Sequence, residues 1–150
     1  MDKALMQMKF KYVSHTADEA FIAYGPTFEA AIENAVLAML GIALDTGKLS
    51  KGPGAPRSIL IKEKAATMNE LAWFILQDIL TVRDARSIGA YKFDITKLSK
   101  DSKGYSISGK LWYKPLREDY MRTDIKAVPA YGLKVSEGKK GYSINAVIDI

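Results

Sequence analysis

Two stretches of the chain place apolar residues every three or four positions, which is the spacing of one face of an α-helix. The first begins after Thr27, a residue type favoured at helix N-caps, and Glu29 in its first turn suits the helix dipole. The second begins with Thr67-x-x-Glu70, the capping-box pattern. The apolar faces comprise Phe28, Ala31, Ile32, Ala35, Val36, Met39, Ile42 and Ala43 in the first stretch and Leu71, Ala72, Ile75, Leu76, Ile79 and Leu80 in the second. The sequence therefore predicts two amphipathic helices.

Seven shorter stretches have the apolar alternation or concentration that is typical of β-strands. They are 8–14, 20–24, 57–64, 91–95, 105–113, 125–135 and 142–148. The predicted order is β-β-α-β-α-β-β-β-β, with the Gly- and Pro-rich stretch 47–56 as a loop. This order favours a two-layer α+β fold, in which both helices pack on one face of a mostly antiparallel sheet. With 150 residues and no internal repeat or linker, we expect one domain over 1–150.

Composition excludes several kinds of chemistry. The chain has no cysteine, which excludes disulfides, a thiol nucleophile and a cysteine metal site. Its net charge of +5 is compatible with an RNA or RNA–protein partner and equally with a solvated basic surface. No apolar run is long enough to cross a bilayer, and Met1–Gln7 lacks a signal-peptide pattern. We expect a cytoplasmic protein with no membrane partner and a flexible N-terminal extension at 1–7.

The candidate chemical groups are few and consist mainly of carboxylates. Asp18 follows the first predicted strand in a turn, where it is either a turn former that bonds its own backbone or an outward-pointing ligand. Asp149 is next to last, and Ile150 ends the chain with a carboxylate. Three carboxylates without soft ligands would favour a hard divalent cation, Ca²⁺ or Mg²⁺. His15 is the only histidine, and a structural role and a role in shaping a site both remain open.

Short motifs at both ends of the chain resemble those of a known family. They are His15-Thr16-Ala17-Asp18, Ala23-Tyr24-Gly25, the run 27–35, Leu37-Ala38-Met39, Asp45-Thr46, Ile125-Lys126-Ala127-Val128, Gly132-Leu133-Lys134-Val135 and Val147-Ile148-Asp149-Ile150. With these motifs the chain resembles the archease family from about residue 10 to its end. Archeases are small helper proteins of RtcB, the GTP-dependent tRNA-splicing ligase.

The resemblance implies a fold, a function and a set of site residues. It implies that Asp18, Asp149 and Ile150 bind a divalent metal ion, Ca²⁺ or Mg²⁺, and that the same residues contact the ligase. Lys126 matches the lysine of the family's Lys-Ala-Val segment, where it would hold phosphate or an acidic surface of the partner; an exposed strand lysine without such a role is the alternative. His15 is also expected to contact the partner. The expected function is non-catalytic: the chain would promote guanylylation and turnover of an RtcB-type ligase. Contact with tRNA and GTP would be indirect, through the ligase.

Three departures from the family pattern leave other functions open. The family usually continues Lys-Ala-Val with Thr-Tyr-His, whereas this chain has Pro129-Ala130-Tyr131. The connection at 117–120 lacks the family's His, and Glu19-Ala20 replaces a small apolar pair. Because proline cannot donate a ladder hydrogen bond, we expect the strand at Pro129 to be bulged or at an edge. One alternative is a divergent binding module for RNA or another protein. A second is a metal-dependent hydrolase that uses the Asp18 and Asp149 carboxylates.

Overall fold

The computed structural model describes residues 8–13 and 18–150, which form seven strands and three α-helices. The strands are β1 (Phe10–Val13), β2 (Glu19–Gly25), β3 (Arg57–Ala65), β4 (Ile88–Asp101), β5 (Gly104–Pro115), β6 (Lys134–Gly138) and β7 (Gly141–Ile148). The helices are α1 (Phe28–Ala43), α2 (Thr46–Lys51) and α3 (Met68–Arg86). Two 3₁₀ turns, Glu118–Tyr120 and Ala130–Gly132, lie in the connection between β5 and β6. His15 and the extension 1–7 lie outside the described residues.

The strands form two antiparallel sheets, one of four strands and one of three. Their orders are β1-β2-β7-β6 and β3-β5-β4. Helix α1 packs against β2 and β7 of the first sheet and against β4 of the second, so it joins the two sheets. Helix α3 packs against β3, β4 and β5 and also reaches β6. Buried side chains from both sheets and all three helices form one hydrophobic cluster.

The predicted helix starts agree with the structure because the capping residues act as their types suggest. The Thr27 hydroxyl oxygen accepts a hydrogen bond from the Ala30 amide, and the Thr67 hydroxyl oxygen accepts one from the Glu70 amide, each at 3.1 Å. Every apolar residue predicted to form the two helical faces is buried. The predicted α+β class with antiparallel pairing is confirmed. The strands divide into two sheets rather than one, since alternation identifies strands without specifying their partners.

Two of the predicted segments differ from the structure. Residues 46–51 form helix α2 instead of a loop, because the Asp45 carboxylate caps the Lys48 amide at 3.1 Å. The predicted strand 125–135 was wrong over 125–133, where only Ala127 forms an isolated bridge, with Asp149. No helix of the described residues is long and apolar enough to cross a membrane.

Candidate functional site

The predicted carboxylates Asp18 and Asp149 lie at the same edge of the four-stranded sheet. Strand β2 begins at Glu19, which pairs with Ile148, the last residue of β7. Asp18 precedes Glu19 and Asp149 follows Ile148, so the two side chains leave the sheet at adjoining positions. Residues opposite each other on neighbouring antiparallel strands have Cβ atoms about 5 Å apart. Both aspartates are partly exposed, and we call this edge the carboxylate edge.

The backbone of Asp149 brings Lys126 to the carboxylate edge. The Asp149 carbonyl oxygen accepts a hydrogen bond from the Lys126 amide at 2.8 Å, and the Asp149 amide donates to the Ala127 carbonyl at 2.9 Å. Lys126 is exposed, whereas Ile150 packs partly against the core. The structure therefore brings together four of the predicted site residues, namely Asp18, Lys126, Asp149 and Ile150.

A row of side chains on α3 holds the segment 125–133 in place. The indole N–H of Trp73 donates to the Val128 carbonyl at 2.6 Å, and the Gln77 side-chain oxygen accepts from the Val128 amide at 3.1 Å. One turn before Trp73, the Asn69 amide group bonds the backbone of Leu133 and Val135 at 3.2 and 2.8 Å. Asn69, Trp73 and Gln77 are four residues apart, so they project from one stripe of the helix. Their hydrogen bonds satisfy backbone groups that would bond a neighbouring strand if this segment were the predicted strand.

The turn Ala130–Gly132 lies tightly on β7 and exposes a tyrosine. A Cβ atom on Gly132 would lie 2.7 Å from the Cβ atom of Val147, so only glycine fits this contact. The turn follows Pro129, and its middle residue, Tyr131, is 81% exposed. Tyrosine is enriched in interfaces between proteins, and single exposed aromatic residues are also normal on protein surfaces. The sequence indicated that 129–131 is unusual, but it did not indicate that Tyr131 is exposed.

Arg122 and Glu19 both act on Tyr12 of β1 through their charges. The Arg122 guanidinium lies at the end of α1, where it donates to the Gly41 carbonyl at 3.0 Å and pairs with Asp45 at 3.4 Å. Burial raises the pKa of the Tyr12 phenol, the positive charge of Arg122 opposes this rise, and the negative charge of Glu19 adds to it. Tyr12 also donates a hydrogen bond to the Ala38 carbonyl at 2.9 Å, which ties β1 to α1. Arg122 was not predicted as a site residue, because the long connection from β5 gives no pattern that would indicate its position.

The oxygen donors of the carboxylate edge suit a hard cation. Asp18 and Asp149 carry carboxylate oxygens, and the Ile150 main chain would add further oxygen atoms; such oxygens are the ligands that Ca²⁺ and Mg²⁺ prefer. Among residues 8–13 and 18–150, no group of three or more His, Cys, Asp or Glu side chains could hold a metal ion. The predicted set has two such side chains, so its third donor must come from the main chain. The metal role of these residues remains a prediction.

The match to a family model decides which family the chain belongs to. The model of the archease protein family (MTH1598/TM1083) matches residues 10–150. The chain belongs to the archease family. The protein archease of Methanosarcina mazei is 32% identical over 146 residues, with 95% of this chain and 96% of the relative covered. The protein archease of Sulfolobus acidocaldarius is 28% identical and covers 95% of this chain and 99% of its own.

Solved structures agree with the fold. The solution structure of protein 1598 from Methanobacterium thermoautotrophicum superposes with a TM-score of 0.77 at 25% identity, covering 95% of this chain and 99% of the other. A crystal structure of an archease from Thermotoga maritima, described as a possible chaperone, gives a TM-score of 0.56 at 15% identity. The match covers 93% of this chain and 96% of the Thermotoga maritima chain, and at 15% identity it supports the fold alone.

Proposed function

We propose that this archease is an accessory protein that activates an RtcB-type, GTP-dependent tRNA-splicing ligase. It would promote guanylylation and turnover of the ligase in the cytoplasm and perform no covalent chemistry of its own. The observation that supports this proposal most is the carboxylate edge, where Asp18, Asp149 and Lys126 lie together at one end of the four-stranded sheet. Contact with tRNA and GTP would be made through the ligase.

The carboxylate edge would hold a divalent cation, Ca²⁺ or Mg²⁺, through Asp18, Asp149 and the carboxylate of Ile150. When bound, the ion would supply positive charge between the carboxylates and a contact for an oxygen atom of the partner. Added metal should raise the melting temperature by mass action, by an amount that grows with concentration. Asp18→Ala and Asp149→Ala should each remove this shift, and a shift that persists in both variants would place the metal elsewhere.

Lys126, His15 and Tyr131 would provide contacts with the ligase. Lys126 is an exposed cation beside the carboxylates, so it suits a phosphate or an acidic surface. Tyr131 would supply the aromatic contact that is typical of interface anchors. The role of His15 rests on its place in the family motif alone.

A guanylylation assay tests the proposed activation. With the ligase and GTP, this archease should speed formation of the ligase–guanylate adduct and allow multiple turnovers. Asp149→Asn should abolish the stimulation because it removes a charge at nearly constant shape. Asp101→Asn is the matched control, since Asp101 lies on the β4–β5 turn and its side-chain oxygen can still accept from the Lys103 amide. Equal stimulation by the two variants would contradict a role for the carboxylate edge.

Tags at the two ends give a second test of the same proposal. A tag after Ile150 should abolish stimulation, because it converts the carboxylate to an amide and adds bulk at the edge. A tag before Met1 should have little effect, since the family match begins at residue 10. If no form stimulates the ligase while metal still binds, Pro129-Ala130-Tyr131 should be replaced with Thr-Tyr-His. Continued inactivity of that variant would favour a binding module for another partner.

A further inference from the structure

The outer face of the three-stranded sheet carries lysines and serines in facing rows. On this sheet, Ile61, Phe93 and Leu111 point into the core, and the residues that alternate with them point outward. The register places Lys62 beside Ser108 and Ser108 beside Lys97. The outward residues are Ser58, Leu60, Lys62 and Lys64 on β3, Ser106, Ser108, Lys110 and Trp112 on β5, and Lys92, Asp94, Thr96, Lys97 and Ser99 on β4. We call this surface the lysine face.

A β-bulge is what turns Lys97 onto the lysine face. The register of β4 shifts between Ile95 and Lys97, which leaves Thr96 as the extra residue. Without the shift, alternation from the buried Phe93 would point Lys97 inward. The Glu33 carboxylate on α1 accepts a hydrogen bond from the Ile95 amide at 2.9 Å and so holds the bulge from the inner side. The chain thus uses a partly buried contact on the inner side of the sheet to place one more cation on the outer surface.

The lysine face carries most of the excess charge of the chain. It has five lysines and one aspartate, while the whole chain has 22 Lys and Arg against 17 Asp and Glu. The remainder is therefore nearly neutral, with 17 against 16. Asp94 lies at one end of the lysine face. Lys92 forms an ion pair with it at 3.5 Å, and the Trp112 indole N–H donates a hydrogen bond to it at 3.1 Å. The adjoining turn adds one charge of each sign, Asp101 and Lys103.

The other end of the lysine face is basic and rich in hydroxyl groups. An open depression of about 500 Å³ is lined there by Lys62, Glu63, Lys64, Lys97, Ser99, Ser106, Ile107 and Ser108. The Glu63 carboxyl bonds Asp78 on α3. Among residues 8–13 and 18–150, no carboxylate lies within ion-pair distance of these three lysines. Lys62 and Lys64 are about 7 Å apart along β3, and Lys62 and Lys97 are about 10 Å apart across the sheet. Unpaired cations at these spacings favour a ligand with repeated negative charges.

We propose that the lysine face binds single-stranded RNA through its phosphate backbone. Ammonium groups neutralise phosphates, and serine hydroxyls can bond phosphate and ribose oxygens. This face is formed by strands, and no helix of the described residues projects from it to enter the groove of a duplex, which favours a single strand. Trp112, partly exposed on the same face, offers a ring on which a base can stack. This inference does not depend on the proposed activation of a ligase.

Fluorescence anisotropy with a labelled, unstructured 20-nucleotide RNA tests this proposal. If five phosphates are neutralised, the slope of log affinity against log salt should be about −3.5, which is roughly a 100-fold loss between 50 and 200 mM salt. The triple variant Lys62→Gln, Lys64→Gln and Lys97→Gln should bind at least 10-fold more weakly, with a slope near −1.4. Circular dichroism should show an unchanged melting temperature, because all three side chains are exposed.

The control removes the same charge from the other sheet, through Lys9→Gln, Lys134→Gln and Lys139→Gln. This triple variant should bind RNA within about twofold of the parent protein. Equal weakening of both triples would overturn the proposal, since it would show attraction to net charge alone. Absence of binding at 50 mM salt would also overturn it. Tighter binding of duplex RNA would overturn the assignment to a single strand, and tighter binding of single-stranded DNA would overturn the assignment to RNA.

Discussion

One substitution, at Gln77, tests whether the side chains of α3 hold segment 125–133 in place. The Gln77 side-chain oxygen accepts a hydrogen bond from the Val128 amide, and Val128 is only 2% exposed. Gln77→Leu removes the acceptor and keeps the bulk, so the buried amide is left without a partner. An unsatisfied buried donor costs about 1–3 kcal/mol. At about 2–4 °C per kcal/mol for a protein of this size, the melting temperature should fall by roughly 4–8 °C for a cost of about 2 kcal/mol.

Thermal unfolding and amide exchange together measure this effect. In Gln77→Leu, hydrogen exchange of the Val128 amide should accelerate strongly. Exchange of the Lys126 amide should also accelerate, because Lys126 lies in the same segment, where its amide donates to the Asp149 carbonyl. Thr81→Ala, one turn further along α3, is the control, since Thr81 bonds only the Gln77 carbonyl within the helix. It should change stability by less than about 0.5 kcal/mol. An unchanged melting temperature with unchanged Val128 protection in Gln77→Leu would refute the reasoning.

Two further predictions concern buried or crowded charges. Lys114, which is 8% exposed, donates hydrogen bonds to two carbonyl oxygens at the C-terminal end of α2. Lys114→Met should therefore lower the free energy of unfolding, measured by chemical denaturation, by about 2–3 kcal/mol. Lys110→Met, on the exposed face, should lower it hardly at all. Burial, then a hydrogen bond with Asp78 and its charge, raises the pKa of the Glu63 carboxyl. The pKa of Glu63 is higher in the folded protein than in the unfolded chain, so protonation of Glu63 stabilises the folded protein at acidic pH. This stabilisation is lost as the pH rises through the folded-state pKa. Glu63→Gln should therefore raise the melting temperature at pH 7 and have little effect at pH 4, and a gain independent of pH would contradict this account.

Local signals predicted the helices well. Thr27 and Thr67 cap α1 and α3 because their hydroxyl oxygens satisfy amides that the first helical turn leaves free. The apolar residues at helical spacing are buried because a helix with one apolar stripe can hide it only against a sheet or another helix. Asp45 caps α2 in the same way, but this cap was not predicted, because the Gly- and Pro-rich stretch 47–56 indicated a loop.

Features that depend on distant partners could not be predicted. The apolar residues around Ile125 and Val128 led to a strand prediction, and both residues are buried, although residues three apart face opposite sides of a strand. The backbone of Val128 nevertheless bonds Trp73 and Gln77 on α3, and nothing in the local sequence identifies those partners. The same limit applies to Lys97, whose outward direction depends on a bulge at which Glu33 binds the amide of Ile95, 62 residues later in the chain.

The two proposed surfaces lie on different sheets, and this separation makes the functional argument testable in parts. The carboxylate edge belongs to the ends of β2 and β7, whereas the lysine face belongs to β3, β4 and β5. Asp149→Asn should therefore leave RNA affinity nearly unchanged, and the lysine variants should leave any metal-induced thermal shift intact. If one substitution removed both properties, a shared loss of folding would be the simpler cause, and circular dichroism would detect it. Independent loss would mean that the metal-induced shift and RNA binding depend on separate surfaces, one on each sheet.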